Sequence, residues 1–329
     1  MTWGVCIGLV LVVAVWVWAF SQFEIPQDAK VTEHVVSHAG NRLSGSLVIP
    51  EGPSDMPVVL IVHGDGPQNR WSDSTYLPLI RRFLDAGIGV FSWDKPGVGA
   101  STGDWLSQSM QMRADEAAAV YAYLRDSVGI APEALGFLGF SQAGWVVPQA
   151  SIAVDAHYAV LVGPAANWRR QGAYLTARRL EAAGLASEAV VQQVGENLAQ
   201  NDALFRGGGT CASRPDLGHA RCEFVRRNYE ADTTQAVLDM RTPLLVLVGA
   251  QDLNVDPHET AEVFGQNPRH EVKIVPEATH SLLRAQPYNF QQPQDWTVWT
   301  TLRFVLAGQH AYAPGVLDHM TTWVLDQHR

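Results

Sequence analysis

The sequence has little charge and little cysteine. Only 17% of its 329 residues are Asp, Glu, Lys or Arg, against 47% apolar, a balance that excludes a disordered chain and a long coiled coil. It also lacks a basic excess: 23 Lys and Arg face 33 Asp and Glu, a formal charge of −10. Without an electrostatic footprint for a phosphate backbone, nucleic acid is excluded as a partner. Internal repeats and low-complexity tracts are missing. No Cys/His cluster has metal-ligand spacing, so neither a metal nor an organic cofactor is expected. What remains is a compact globular chain, long enough for one large domain or two modest ones.

Charge is scarcest at the start. Residues 1–23 carry no charged side chain, and residues 3–20 form an apolar run, about 27 Å long as a helix. A cleaved signal peptide has a basic leading segment and a shorter apolar stretch. Neither is present, although Ala19-Phe20-Ser21 offers a weak cleavage site, so residues 1–22 are read as a membrane anchor or signal segment, followed by a polar linker at 23–30. Orientation stays open, because the first basic side chain, Lys30, is offset by Glu24 and Asp28. Of the three cysteines, Cys6 falls in the apolar run and reads as a small hydrophobe. Cys211 and Cys222 lie in a polar, glycine-rich segment, either as two free thiols or as a disulfide that would close a floppy loop. With the apolar run, that pair points to a folded domain outside the cytoplasm.

Beyond the linker, residues 31–50 alternate around Gly40-Asn41 as two short strands. Continuous apolar runs follow at 56–62, 88–93, 135–139, 158–162 and 244–248, with a shorter one at 272–275. Such runs are strands buried on both faces of a parallel sheet. Helical patterns at 76–86 and 113–127 lie between them, so the fold class is α/β with a mostly parallel sheet. Residues 165–240 break the alternation with three helical patterns, 168–183, 187–204 and 219–231. An insertion of that length after a strand end reads as a helical cap over a ligand crevice. The core is then 31–164 with 241–329.

The sharpest motif is Gly139-Phe140-Ser141-Gln142-Ala143-Gly144-Trp145, directly after a strand and opening a helix. A serine on so tight a turn needs small neighbours two residues to either side. Gly139 and Ala143 supply them, Ala143 standing where the strict motif has glycine. Two more groups follow at later strand ends, Asp252 after Val246-Leu247-Val248-Gly249 and His280 after Pro276-Glu277-Ala278-Thr279. Serine, acid and histidine in that order are what a strand-turn serine hydrolase requires. Ser141 would attack an acyl carbon, His280 would carry its proton, and Asp252 would orient the imidazole. Asp256, four residues on, rivals Asp252 as the acid.

The loop His63-Gly64-Asp65-Gly66-Pro67 follows the first long strand, where backbone N–H groups can meet an oxyanion. The donors are assigned to Asp65 N–H and Gln142 N–H. The Asp65 carboxylate should turn away from the developing charge, toward Arg70, and His63 should brace the loop rather than act as a second base. In Trp93-Asp94-Lys95-Pro96-Gly97-Val98-Gly99-Ala100-Ser101, Asp94 can hold the amides of a rigid turn. Lys95 precedes the glycines, so this is not a phosphate loop.

On these motifs the sequence resembles the α/β-hydrolase superfamily over residues 31–329. It is similar to bacterial carboxylesterases and to the prolyl-oligopeptidase-like and serine-aminopeptidase-like groups, where an HGxGP loop with a following arginine, here Arg70, is common. The resemblance implies an α/β-hydrolase fold and a serine carboxylesterase of a small acyl substrate. Epoxide hydrolases and dehalogenases share the Asp94–Ser101 turn, but that resemblance implies an aspartate where this chain has Ser141. Two other readings remain open: a membrane-tethered peptidase, with Glu181, Glu188 or Glu196 holding a peptide amine, and an idle binding protein marked by Ala143 and Asp65. Trp145 and Trp168 are candidate pocket walls.

Overall fold

The computed structural model describes residues 18–53 and 55–329. Strands β1 (Lys30–His38) and β2 (Asn41–Ile49) form an antiparallel hairpin. Its turn is Ala39-Gly40, one residue earlier than the alternation places it, because both turn residues adopt positive φ (48° and 81°) as a tight two-residue hairpin demands. The chain continues through β3 (Val58–Val62), α1 (Leu77–Asp85), β4 (Gly89–Trp93), α2 (Met110–Tyr123), β5 (Leu135–Phe140), α3 (Val147–Val154) and β6 (Tyr158–Val162). Then come α4 (Trp168–Ala182), α5 (Ser187–Phe205), α6 (His219–Asn228), α7 (Thr234–Asp239), β7 (Leu244–Gly249), α8 (Pro257–Phe264), β8 (His270–Val275), α9 (Val298–Ala307) and α10 (Val316–His328).

The eight strands make one sheet in the order β1-β2-β4-β3-β5-β6-β7-β8, antiparallel at β1, β2 and β4 and parallel from β4 onward. This is the α/β-hydrolase architecture expected. The apolar runs are continuous because β3, β4, β6 and β7 are buried on both faces. Successive residues serve opposite layers: Val58, Leu60 and Val62 pack with Ala117, Tyr121 and Ala150 on one side, Val59 and Ile61 with Phe83, Met320 and Val324 on the other.

The chain leaves this core at Asn167 and re-enters at Asp232, two residues joined by an antiparallel bridge. Trp168 N donates to Ala231 O and Thr233 N to Ala166 O, making a two-legged stalk for the inserted helices α4, α5 and α6, the segment expected to act as a cap. Helix α7, inside the 165–240 segment, buries Val237 in the core. Cys211 and Cys222 are disulfide-bonded. The apolar run lies, apart from its last residues, outside the described residues, as does Cys6. Among the described residues no helix is long and apolar enough to cross a membrane.

Candidate active site

Six loops meet at the carboxyl end of the sheet, where open α/β sheets carry their ligand crevice. Ser141 opens a 3₁₀ turn immediately after β5 and holds φ at +51°. A non-glycine residue in that region is strained, and such strain marks functional turns. The motif's small residues have a steric cause. A Cβ on Gly139 would sit 2.7 Å from Leu161 Cδ2 and 2.8 Å from both Ala143 Cβ and Val147 Cγ2. Ala143 is itself fully buried, so its methyl fills the space and nothing larger fits. A Cβ on Gly144 would come within 2.3 Å of Ala165 O.

Asp252 and His280 lie on the loops after β7 and β8. A Cβ on Gly249 would be 2.2 Å from Thr279 O, so glycine lets these loops touch. His280 Nδ1 donates to Asp252 Oδ2 at 2.7 Å, which turns Nε2 away from the acid. Asp252 is buried, and its Oδ1 accepts from Asn254 N (2.7 Å) and Val255 N (2.9 Å). Asp256 is committed elsewhere, capping α8 through His258 N. Burial pushes the His280 pKa down, but the charge and hydrogen bond of Asp252 outweigh it and hold the ring above its ordinary value. The loop after β6 draws serine and histidine together. Ala165 N donates to Ser141 O (3.2 Å), and a Cβ on Gly163 would lie 2.9 Å from His280 Nδ1.

The loop after β3 abuts the elbow, since a Cβ on Gly64 would be 3.4 Å from Ser141 Cβ. Gly66 needs its left-handed φ of 92° to turn the chain here. Lys95 is buried beneath the loop, donating Nζ to Gly64 O (3.0 Å) and Gly66 O (2.8 Å) and lying 4.8 Å over the Trp105 ring. A trans peptide sets its N–H opposite its C=O, so fixing Gly64 O directs Asp65 N–H away from Lys95. His63 is buried, bonds Trp93 O through Nε2 (2.7 Å) and stacks on Tyr76. Burial drops its pKa to about 3, which keeps it neutral.

The Asp65 carboxylate does not turn toward Arg70. It pairs with Arg221 of α6, Nη1 to Oδ1 at 2.9 Å and Nη2 to Oδ2 at 2.5 Å, and takes a third hydrogen bond from Gln142 Nε2 (3.1 Å). Burial raises its pKa, but Arg221's hydrogen bonds and charge prevail and hold it below the ordinary range. Arg70 is engaged already, with Asp94, Glu33, Ser44 and Ser46. Asp94 also accepts from Ala100 N (3.1 Å), and a Cβ on Gly99 would clash with its Oδ2 at 2.4 Å. From below, buried Arg113 donates to Gln142 Oε1 (2.5 Å) and His63 O (2.6 Å). Sequence reasoning missed Arg113, Arg221 and the role of Lys95. A buried lysine beside the turn motif was visible only as a failed phosphate loop.

The remaining candidates fall outside this cluster. Trp145 is buried, donates Nε1 to Ala166 O and packs at a 30° tilt against Trp168 at the root of the cap. Glu181, Glu188 and Glu196 are on exposed faces; Glu181 pairs with Arg178 and Glu196 accepts from Gln192.

Among solved structures, an esterase from Pyrococcus furiosus aligns with 87% of this chain and 91% of its own at 18% identity and a TM-score of 0.54. Est1E from Butyrivibrio proteoclasticus, solved with ferulic acid bound, aligns with 89% and 98% at 15% identity and a TM-score of 0.54. Acetyl xylan esterase 1 from Thermoanaerobacterium aligns with 89% and 92% at 15% identity and a TM-score of 0.51. At these identities the likeness is one of fold. No curated protein sequence matches the chain. The profile of the family described as serine aminopeptidase S33 matches residues 54–286, and with the α/β-hydrolase sheet around it the chain belongs to that family of hydrolases.

Proposed function

We propose that this protein is a serine carboxylesterase acting through an acyl-enzyme on Ser141. The observation that carries the reading is the strained Ser141 elbow beside a buried Asp252 hydrogen-bonded to His280 Nδ1. Ser141 Oγ attacks the acyl carbon as His280 Nε2 takes its proton, and Asp252 stabilises the imidazolium. The oxyanion forms against Asp65 N–H and Gln142 N–H, neither of which, among the described residues, is held by a backbone carbonyl in the surrounding loops and turns. His280 then protonates the leaving alcohol and activates the water that releases the acid.

An ester is favoured over a peptide because the carboxylates expected to hold a peptide amine stand on exposed cap faces. The family's description keeps the aminopeptidase reading in play, and turnover decides between them. p-Nitrophenyl esters of two to twelve carbons are expected to be hydrolysed, with aminoacyl anilides slower by orders of magnitude. Faster anilide cleavage would make the protein a peptidase, and no turnover of either would favour an idle binding fold. The same proposal has the catalytic domain outside the cytoplasm, either anchored to a membrane or exported. The Cys211–Cys222 disulfide and the apolar composition of residues 3–20 support that location.

A further inference from the structure

Asp65 is an awkward oxyanion donor. Its N–H is one of the two donors proposed above, but its side chain brings an anion to the same residue, and an uncompensated carboxylate repels the charge that develops on the substrate. The compensation comes from the cap, 156 residues away in sequence, as the two parallel hydrogen bonds from Arg221.

The pair is partly exposed, 34% at Arg221 and 42% at Asp65, a setting in which an ion pair adds little to stability by itself; its surroundings are what fix its geometry. The Arg221 guanidinium lies 5.0 Å from the Phe224 ring and 5.7 Å from Trp105, the ring whose other cation is Lys95. Helix α6 is anchored beneath it. Phe224 is fully buried in the core, Asn228 Oδ1 accepts Met110 N (2.8 Å), and Arg227 donates to Leu106 O (2.9 Å). Next to Arg221, Cys222 is tied to Cys211.

We infer that Arg221 is a positioning residue of the reaction: from the cap it pairs the Asp65 carboxylate, so that Asp65 N–H, aimed by Lys95, meets the oxyanion without a competing negative charge. The inference rests on the esterase reading. It couples the two parts of the molecule, because lifting α6 would expose the Asp65 charge to the site.

The test is steady-state hydrolysis of p-nitrophenyl butyrate by the full chain. Arg221→Met is compared with the parent, and the same substitution is compared again in an Asp65→Asn background. With Asp65 present, kcat should fall about tenfold or more while KM stays within roughly twofold. In the Asp65→Asn background, removing Arg221 should change kcat less than about twofold. Arg221→Lys, which keeps the charge and loses the fork, should recover part of the rate. Equal losses in both backgrounds, or a loss carried by KM, would show that Arg221 only holds the cap in place and would overturn the inference alone. A parent chain without esterase activity would overturn it together with the reading beneath it.

Discussion

The sheet and the cap are held by different forces. Strands β3, β4, β6 and β7 are buried along their whole length, whereas α4 buries no residue and α5 only Val190 and Leu204. Apolar burial is non-directional and fixes the sheet through summed area. Apart from Phe224 of α6, which is buried in the core, the cap is set by directional contacts: Asp202 with Arg169 and Tyr229, the Cys211–Cys222 bridge, Tyr174 Oη on Asp252 O, and Gln171 on Asn254 O. The lesson is that a cap substitution can change the geometry of the site while leaving global stability almost untouched, and a sheet substitution does the reverse.

The largest effect is expected where the two regions meet. Asp252→Asn removes the partner that orients His280, and kcat should fall by about 10⁴ with little change in melting temperature. The pH profile gives an independent sign. Only neutral His280 can act as base, and Asp252 holds its pKa above the ordinary value, so parent activity should rise with pH across a limb above about 6.5. In Asp252→Asn that limb should move to lower pH.

Next comes a matched pair, one substitution per region. Phe137→Ala in β5 opens a cavity in a fully buried position and should destabilise the whole chain by about 3–5 kcal/mol in denaturant unfolding. Cys211→Ser should release up to about 2–3 kcal/mol of loop constraint. Hydrogen exchange should then rise across residues 206–222 and stay unchanged in β3 to β7. Uniform loss of protection in the second variant would break the comparison.

The smallest effect lies at the seam beside the stalk. Glu259 in the first turn of α8 packs against Arg170 of α4, and burial, opposed by Arg170, raises its pKa to about 7. A carboxyl that binds its proton more tightly when folded stabilises below its ordinary range, near 4.5, and that contribution is lost as pH rises through about 7. Glu259→Gln should therefore melt slightly higher than the parent at pH 8 and no higher at pH 4.

The same division explains what could be read from the amino-acid order. Strands β3 to β7 were legible because burial on both faces writes a continuous apolar run. Ser141 and Asp252 could be placed at strand ends because each follows such a run, whereas His280 follows β8, which is mostly exposed and carries only a short apolar stretch. The partner of Asp65 was not. Arg70 is close in sequence, but the pairing of β2 with β4 brings Ser44 and Ser46 beside Asp94 and commits Arg70 to them. Arg221 sits on a short helix rich in charge, and nothing local singles it out. Helices α9 and α10 were also missed, although α10 buries Met320 and Val324 against the sheet; neither helix carries a residue of the motif that organised the reading.

The central claim is that Ser141 is a nucleophile activated by His280, and labelling by a fluorophosphonate probe tests it most directly. Peptide mass mapping should place a single phosphonyl group on Ser141, with no label on folded Ser141→Ala and labelling slowed by orders of magnitude in His280→Ala. A folded parent chain that stays unlabelled, or a label on any other residue, would contradict the account.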